Sequence, residues 1–166
     1  SDDKIWVHDY HLIPLARYLR EAGVRVPIGF FLHIPFPYVE TLRALPTYGE
    51  LVKDLATYDV IGFQTQSDLR SFQSAVVQVF GSGSVLRDGR ISIAGRESRC
   101  GVFPIGVDAT AVQAQASAAR NSDNVLRMIH TLQGRKLIIG VDRLDYSKGL
   151  VERFASYEHF LETYPE

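Results

Sequence analysis

Three short apolar runs, each followed by residues of helical periodicity, limit what this chain can fold into more than any other feature. Ile5-Trp-Val7 precedes Leu12, Leu15, Ala16 and Leu19, which recur at helical spacing up to Gly23, while Pro14 falls early enough for a first turn. Residues 27–33 show no polar alternation, as a strand covered on both faces requires, and they end in the rigid loop Ile34-Pro-Phe-Pro37. Residues 38–45 and 48–57 read as helices split at Pro46, and residues 59–64 as the third strand. Ser67 then opens a helix through Leu69, Phe72, Ala75, Val76 and Val79 that stops at Gly81. Repeated strand-helix order predicts an α/β fold, a Rossmann-like parallel sheet with helices on both faces.

The period changes after Val85. Asp88-Gly89 is a hairpin turn between residues 84–86 and 91–93, and a second turn near Gly95-Arg96 leads into residues 99–103. Residues 109–119 and 125–132 are helical, and a boundary is expected near Gly134. Lys136-Leu-Ile-Ile-Gly-Val-Asp142 reads as a buried strand, and residues 147–149 open a helix that carries Val151, Phe154, Tyr157 and Leu161.

The loop between that strand and that helix holds two cations. Arg143 lies just past the strand, and Lys148 lies in or beside the first helical turn, where the macrodipole disfavours a positive charge. Free N–H groups, a glycine at 149 and two cations describe a phosphate or diphosphate site. The plainer alternative pairs Arg143 with Asp145 and leaves Lys148 solvated. Two other places follow strand ends, where ligands bind in open α/β sheets: His8-Asp9-Tyr10-His11 and His33. Asp9 reads equally as a helix cap or a ligand contact, and His33 as a packing histidine or a ligand contact. The histidines match no standard zinc spacing, so no metal is expected.

Several function classes lose support. A net charge of -1 leaves no footprint for a nucleic acid. No apolar run reaches the length of a membrane span, and Ser1-Asp-Asp-Lys4 has no signal-peptide character. One cysteine, Cys100, excludes an intrachain disulfide and fits a reducing, cytoplasmic setting, with the thiol buried and inert. There is no Gly-x-Ser-x-Gly elbow, no Walker loop and no complete Gly-x-Gly-x-x-Gly. The ends carry no tail or polar cap, so the chain is expected to be a segment of a longer α/β protein.

Five motifs in order, Trp6-Val-His-Asp-Tyr-His-Leu12, Gly29-Phe-Phe-Leu-His-Ile-Pro-Phe-Pro37, Ile61-Gly-Phe-Gln-Thr65, Phe103-Pro-Ile-Gly-Val-Asp108 and Val141-Asp-Arg-Leu-Asp-Tyr-Ser-Lys-Gly-Leu150, resemble those of the trehalose-6-phosphate synthases. The resemblance implies a retaining GT-B glycosyltransferase with two facing Rossmann-like domains, moving glucose from UDP-glucose to glucose 6-phosphate. Residues 1–134 would be the later half of the acceptor-side domain, and 135–166 the first strand-helix unit of the nucleotide-sugar domain. It also implies that Asp9 holds the acceptor sugar, that His33 touches the transferred glucose, and that Arg143 and Lys148 bind the donor diphosphate. No cofactor is implied, UDP-glucose being a co-substrate. The full-length protein is open to homo-oligomerisation, and this segment alone is expected to be inactive. A related transferase with another acceptor, such as a glucosylglycerol-phosphate synthase, and a non-catalytic regulatory homologue are the alternatives. Val39 and Val151 replace prolines of the family pattern, which leaves acceptor specificity open.

Overall fold

In the computed structural model, which describes residues 2–165, the three apolar runs form β1 (Ile5–His8), β2 (Ile28–Phe31) and β3 (Val60–Phe63). They pair in parallel, with Trp6 against Gly29 and Phe31 against Gly62. The crossovers carry α1 (Leu15–Glu21), the short α2 (Val39–Leu42) and α3 (Tyr48–Leu55), and α4 (Gln66–Phe80) follows β3. A hairpin of β4 (Ile91–Ile93) and β5 (Arg96–Val102) completes the sheet, whose order is β1-β2-β3-β5-β4. β5 lies parallel to β3, and β4 alone runs antiparallel.

Local chemistry explains most of these boundaries. α4 starts one residue before the expected Ser67 because Thr65 and Asp68 form a capping box, each side chain bonding the other's backbone N–H. The β4–β5 turn has Ala94 and Gly95 at φ 50° and 79°, the left-handed pair that a two-residue hairpin of native twist demands. At Asp88-Gly89 the turn is closed by Leu86 N–H to Arg90 O, 2.8 Å. The expected first arm of that hairpin contributes only the single bridge Val85–Ile91.

One core collects Val7, Ile28, Phe30, Ile61 and Phe63 from the strands with residues of all four helices, among them Ala16, Leu42, Leu55 and Phe72. Burying each large side chain contributes roughly 1.5–3 kcal/mol. The helices therefore serve one face of the sheet, where the sequence suggested both. Strand order explains this: the chain steps from β1 to β2 to β3 to β5 in one direction, and right-handed crossovers that never reverse place their helices on the same side. On the other face, three glycines lie under aromatic rings. A Cβ at Gly29 would stand 2.3 Å from Trp6, one at Gly62 2.7 Å from Phe31, and one at Gly101 2.9 Å from Phe103. At the amino edge, Asp59 accepts from Arg20, Arg96 and the Ile28 N–H, each at 2.6 Å, and so ties the starts of β2, β3 and β5 together.

The chain divides into two compact units, the first ending at Val107 and the second beginning at Asp108. The second unit contains α5 (Ala109–Ala119), α6 (Asp123–Leu132) and α7 (Leu150–Thr163), with no buried residue among those described. No strand forms over residues 136–142, and Ile138, Ile139 and Val141 are 74%, 76% and 84% exposed. A parallel strand exists only beside a neighbour, and none pairs with this run. Among the described residues no helix is long and apolar enough to cross a membrane.

Candidate functional site

All four parallel strands end at one edge, and the backbone ladder continues one step beyond them. Asp9 N–H donates to Phe31 O at 2.8 Å, Leu32 N–H to Gly62 O at 3.0 Å, and Phe103 N–H to Phe63 O at 2.9 Å. That ladder fixes the backbone of Asp9 and Leu32, and with it the reach of the side chains beyond.

Asp9 sits at φ 66°, ψ 171°, a region that glycine occupies and other residues enter at a cost of about 1–3 kcal/mol. Its side chain caps nothing, although it precedes the short turn at Tyr10–Leu12, so the helix-cap alternative is not realised. Its Oδ1 is buried and has no hydrogen-bond partner. A buried acceptor without a donor is a standing cost, and an incoming hydroxyl removes it. The strained backbone and the unpartnered oxygen leave this carboxylate with acceptor capacity that no described residue uses.

His33 is exposed, two residues past the end of β2, so the packing-histidine alternative does not hold. Sequence could not show this, because the apolar run continues through Leu32 up to the histidine and only the sheet reveals that β2 stops at Phe31. Its ring meets the Phe31 ring edge-on at 4.8 Å and lies against His8 at 5.1 Å, with Nε2 2.8 Å from His8 Nδ1. Beside them, Gln64 Oε1 accepts from Ile105 N–H at 2.9 Å and ties the loop after β5 to the end of β3. Gln64 did not stand out as a site residue in the sequence, and His8 was marked only within the stretch His8–His11, with no role of its own. Their signal was position alone, one at a strand's last residue and the other just beyond.

Arg143 and Lys148 lie in the second unit, both exposed. The acids around them are otherwise engaged. Asp145 Oδ1 accepts from Ser147 N–H at 2.9 Å and starts a one-turn 3-10 segment at Tyr146–Lys148, and Asp142 pairs with Arg153. The Ser147 N–H holds the Asp145 carboxyl below its ordinary range, with the charges of Lys148 and Arg143 adding to the effect. Among the described residues neither cation makes an ion pair, so the expected Arg143–Asp145 alternative does not form. Lys148 precedes the helix rather than entering it. Gly149, at φ 60° and ψ 36°, is the left-handed residue from which α7 departs. Val39 opens α2 and Val151 is the second residue of α7, both first-turn positions. Among the described residues no three histidine, cysteine or acidic side chains gather as a metal ion would need.

The family model for glycosyltransferase family 20 matches residues 1–166. A trehalose-6-phosphate synthase of Sinorhizobium fredii is 46% identical over 160 residues, 96% of this chain and 34% of that protein. A UDP-forming α,α-trehalose-phosphate synthase from Burkholderia xenovorans, solved in complex with glucose-6-phosphate, superposes with a TM-score of 0.84. It is 49% identical, and the match covers 99% of this chain and 36% of that one. The Escherichia coli protein bound with UDP-2-fluoro glucose gives a TM-score of 0.82 at 42% identity, covering 99% and 36%. The chain thus spans about a third of the length of the curated relatives it matches.

Proposed function

Because the chain belongs to glycosyltransferase family 20, we infer that the protein containing it transfers glucose from UDP-glucose to glucose 6-phosphate, with retention, to form trehalose 6-phosphate. The observation that carries this reading is Asp9, a strained residue with a buried, unpartnered carboxylate oxygen at the carboxyl edge of a parallel sheet. A carboxylate in that state suits sugar hydroxyls and gains nothing from an apolar ligand. Supporting it are the ligands of two related structures, glucose-6-phosphate in one and UDP-2-fluoro glucose in the other.

In this reading Asp9 holds acceptor hydroxyls and His33 orients the transferred glucose. Arg143 and Lys148 meet the donor diphosphate. As the bond from the sugar to UDP breaks, negative charge grows on the leaving phosphate. Two cations that make no ion pair among the described residues stabilise that charge more in the transition state than before it. The acceptor hydroxyl attacks from the face that UDP leaves, and the departing phosphate takes its proton. His33 acts by orientation and need not act as a base. No resident cofactor enters the proposal, since both reactants are small-molecule substrates, and the setting proposed is the cytoplasm.

The test is steady-state turnover of UDP-glucose and glucose 6-phosphate by the full-length protein. Arg143→Ala and Lys148→Ala should each lower kcat/KM by roughly tenfold to a thousandfold, the range for losing a charge-stabilising donor. Wild-type rates in both variants would overturn the diphosphate assignment. A panel of phosphorylated and unphosphorylated acceptors in the same assay fixes acceptor specificity.

A further inference from the structure

The geometry points to His8 as a positioning residue for His33, one that commits the His33 ring to a single free nitrogen. His8 is the last residue of β1 and is in register with Phe31, so its backbone belongs to the sheet. His33 lies two residues beyond β2, where no strand holds it. The histidine within the sheet therefore steadies the one beyond it, and the 2.8 Å contact from His8 Nδ1 to His33 Nε2 is the means.

A hydrogen bond between two imidazoles needs one donor and one acceptor, so a single proton lies on that axis. Whichever ring carries it, His33 Nε2 is occupied, and Nδ1 is the only ring nitrogen left for a ligand. The surrounding rings leave little freedom to turn. Phe31 stands edge-on to His33 at 4.8 Å, and Trp6 meets His8 at 5.9 Å and 68°. Phe31 is itself placed by the absence of a side chain at Gly62, where a Cβ would stand 2.7 Å from its ring. The chain of support runs from Gly62 through Phe31 to His33, with His8 closing it from the other side.

This rests on the donor-glucose role given to His33 above, and the test separates the two. In full-length protein with 15N-labelled histidine rings, His33 Nε2 is expected to be hydrogen-bonded to His8 Nδ1 in the wild type and to lose that partner in His8→Ala. His8→Asn retains a polar δ atom at the reach of Nδ1 and should keep His33 Nε2 engaged. In turnover, His8→Ala should lower kcat by about tenfold to a hundredfold, the scale of a misplaced reacting group, with KM for UDP-glucose nearly unchanged. His8→Asn should recover most of that loss, and adding His8→Ala to His33→Ala should cost nothing more. His8 is exposed, so its removal hollows no core. A His33 Nε2 free of any hydrogen bond in the wild type overturns the proposal, as does a deficit that asparagine leaves unrelieved or that persists without His33. If glucosyl transfer is not the reaction, the wild type shows no turnover while the ring measurement still decides the role of His8.

Discussion

At Asp9 stability and binding pull in opposite directions. The positive φ costs about 1–3 kcal/mol, and the unpartnered Oδ1 adds to that. Glycine removes both burdens at the expense of some chain entropy. Asp9→Gly should therefore raise stability by about 1 kcal/mol in urea unfolding and lower kcat/KM for glucose 6-phosphate by about a hundredfold or more. Loss of stability in that variant would show the residue is not strained in solution. The sequence marks Asp9 and His33 as polar residues after apolar runs, and it carries that much because these runs end within a residue of the strands they form. It cannot show the dihedral at Asp9 or the His8–His33 contact, since both depend on the register of β1 against β2.

Among the elements, α4 depends most on a few polar atoms. Thr65 caps it, while Asp68 bonds the Thr65 N–H and hydroxyl and also accepts from Phe36 N–H at 3.1 Å. Thr65→Ala should cost about 1 kcal/mol. Asp68→Ala should cost roughly 2–4 kcal/mol, because it also strands the Phe36 N–H in the interior, and equal losses in the two would refute the bridging role. The pattern Thr-x-x-Asp was legible, yet the apolar spacing drew the helix start to Ser67. Residues 136–142 show the opposite failure. Their composition reads as a buried strand, and composition can state a preference for burial without supplying the neighbour that satisfies it.

For the molecule as a whole, a buried phenol and a half-buried thiol weaken the fold at alkaline pH. Burial pushes the Cys100 thiol from 9.0 to about 12 and the Tyr58 phenol from 10.0 to about 12. Between those ordinary values and about 12, the unfolded chain has released protons that the folded chain still holds. Stability therefore falls as pH rises above about 9, and urea midpoints from pH 7 to 11 should trace the fall. Tyr58→Phe should lessen the slope while costing about 1 kcal/mol at pH 7, through the lost bond to Leu12 O. The two units should also differ in hydrogen exchange, with β1, β2 and β3 protected and α5, α6 and α7 exchanging faster, since no described residue of the second unit is buried.

Gly29, Gly62 and Gly101 lie on three different strands, under the rings of Trp6, Phe31 and Phe103. In terms of mutational tolerance, they form a row of positions where even alanine is oversized, although each sits inside a strand where a larger residue would ordinarily be favoured. Their burdens differ. Trp6 is 52% exposed and can swing aside, whereas Phe31 is 5% exposed and has His33 against its edge. A saturation library scored for growth on the full enzyme should thus be more permissive at Gly29 than at Gly62, where the first methyl group is felt two side chains away.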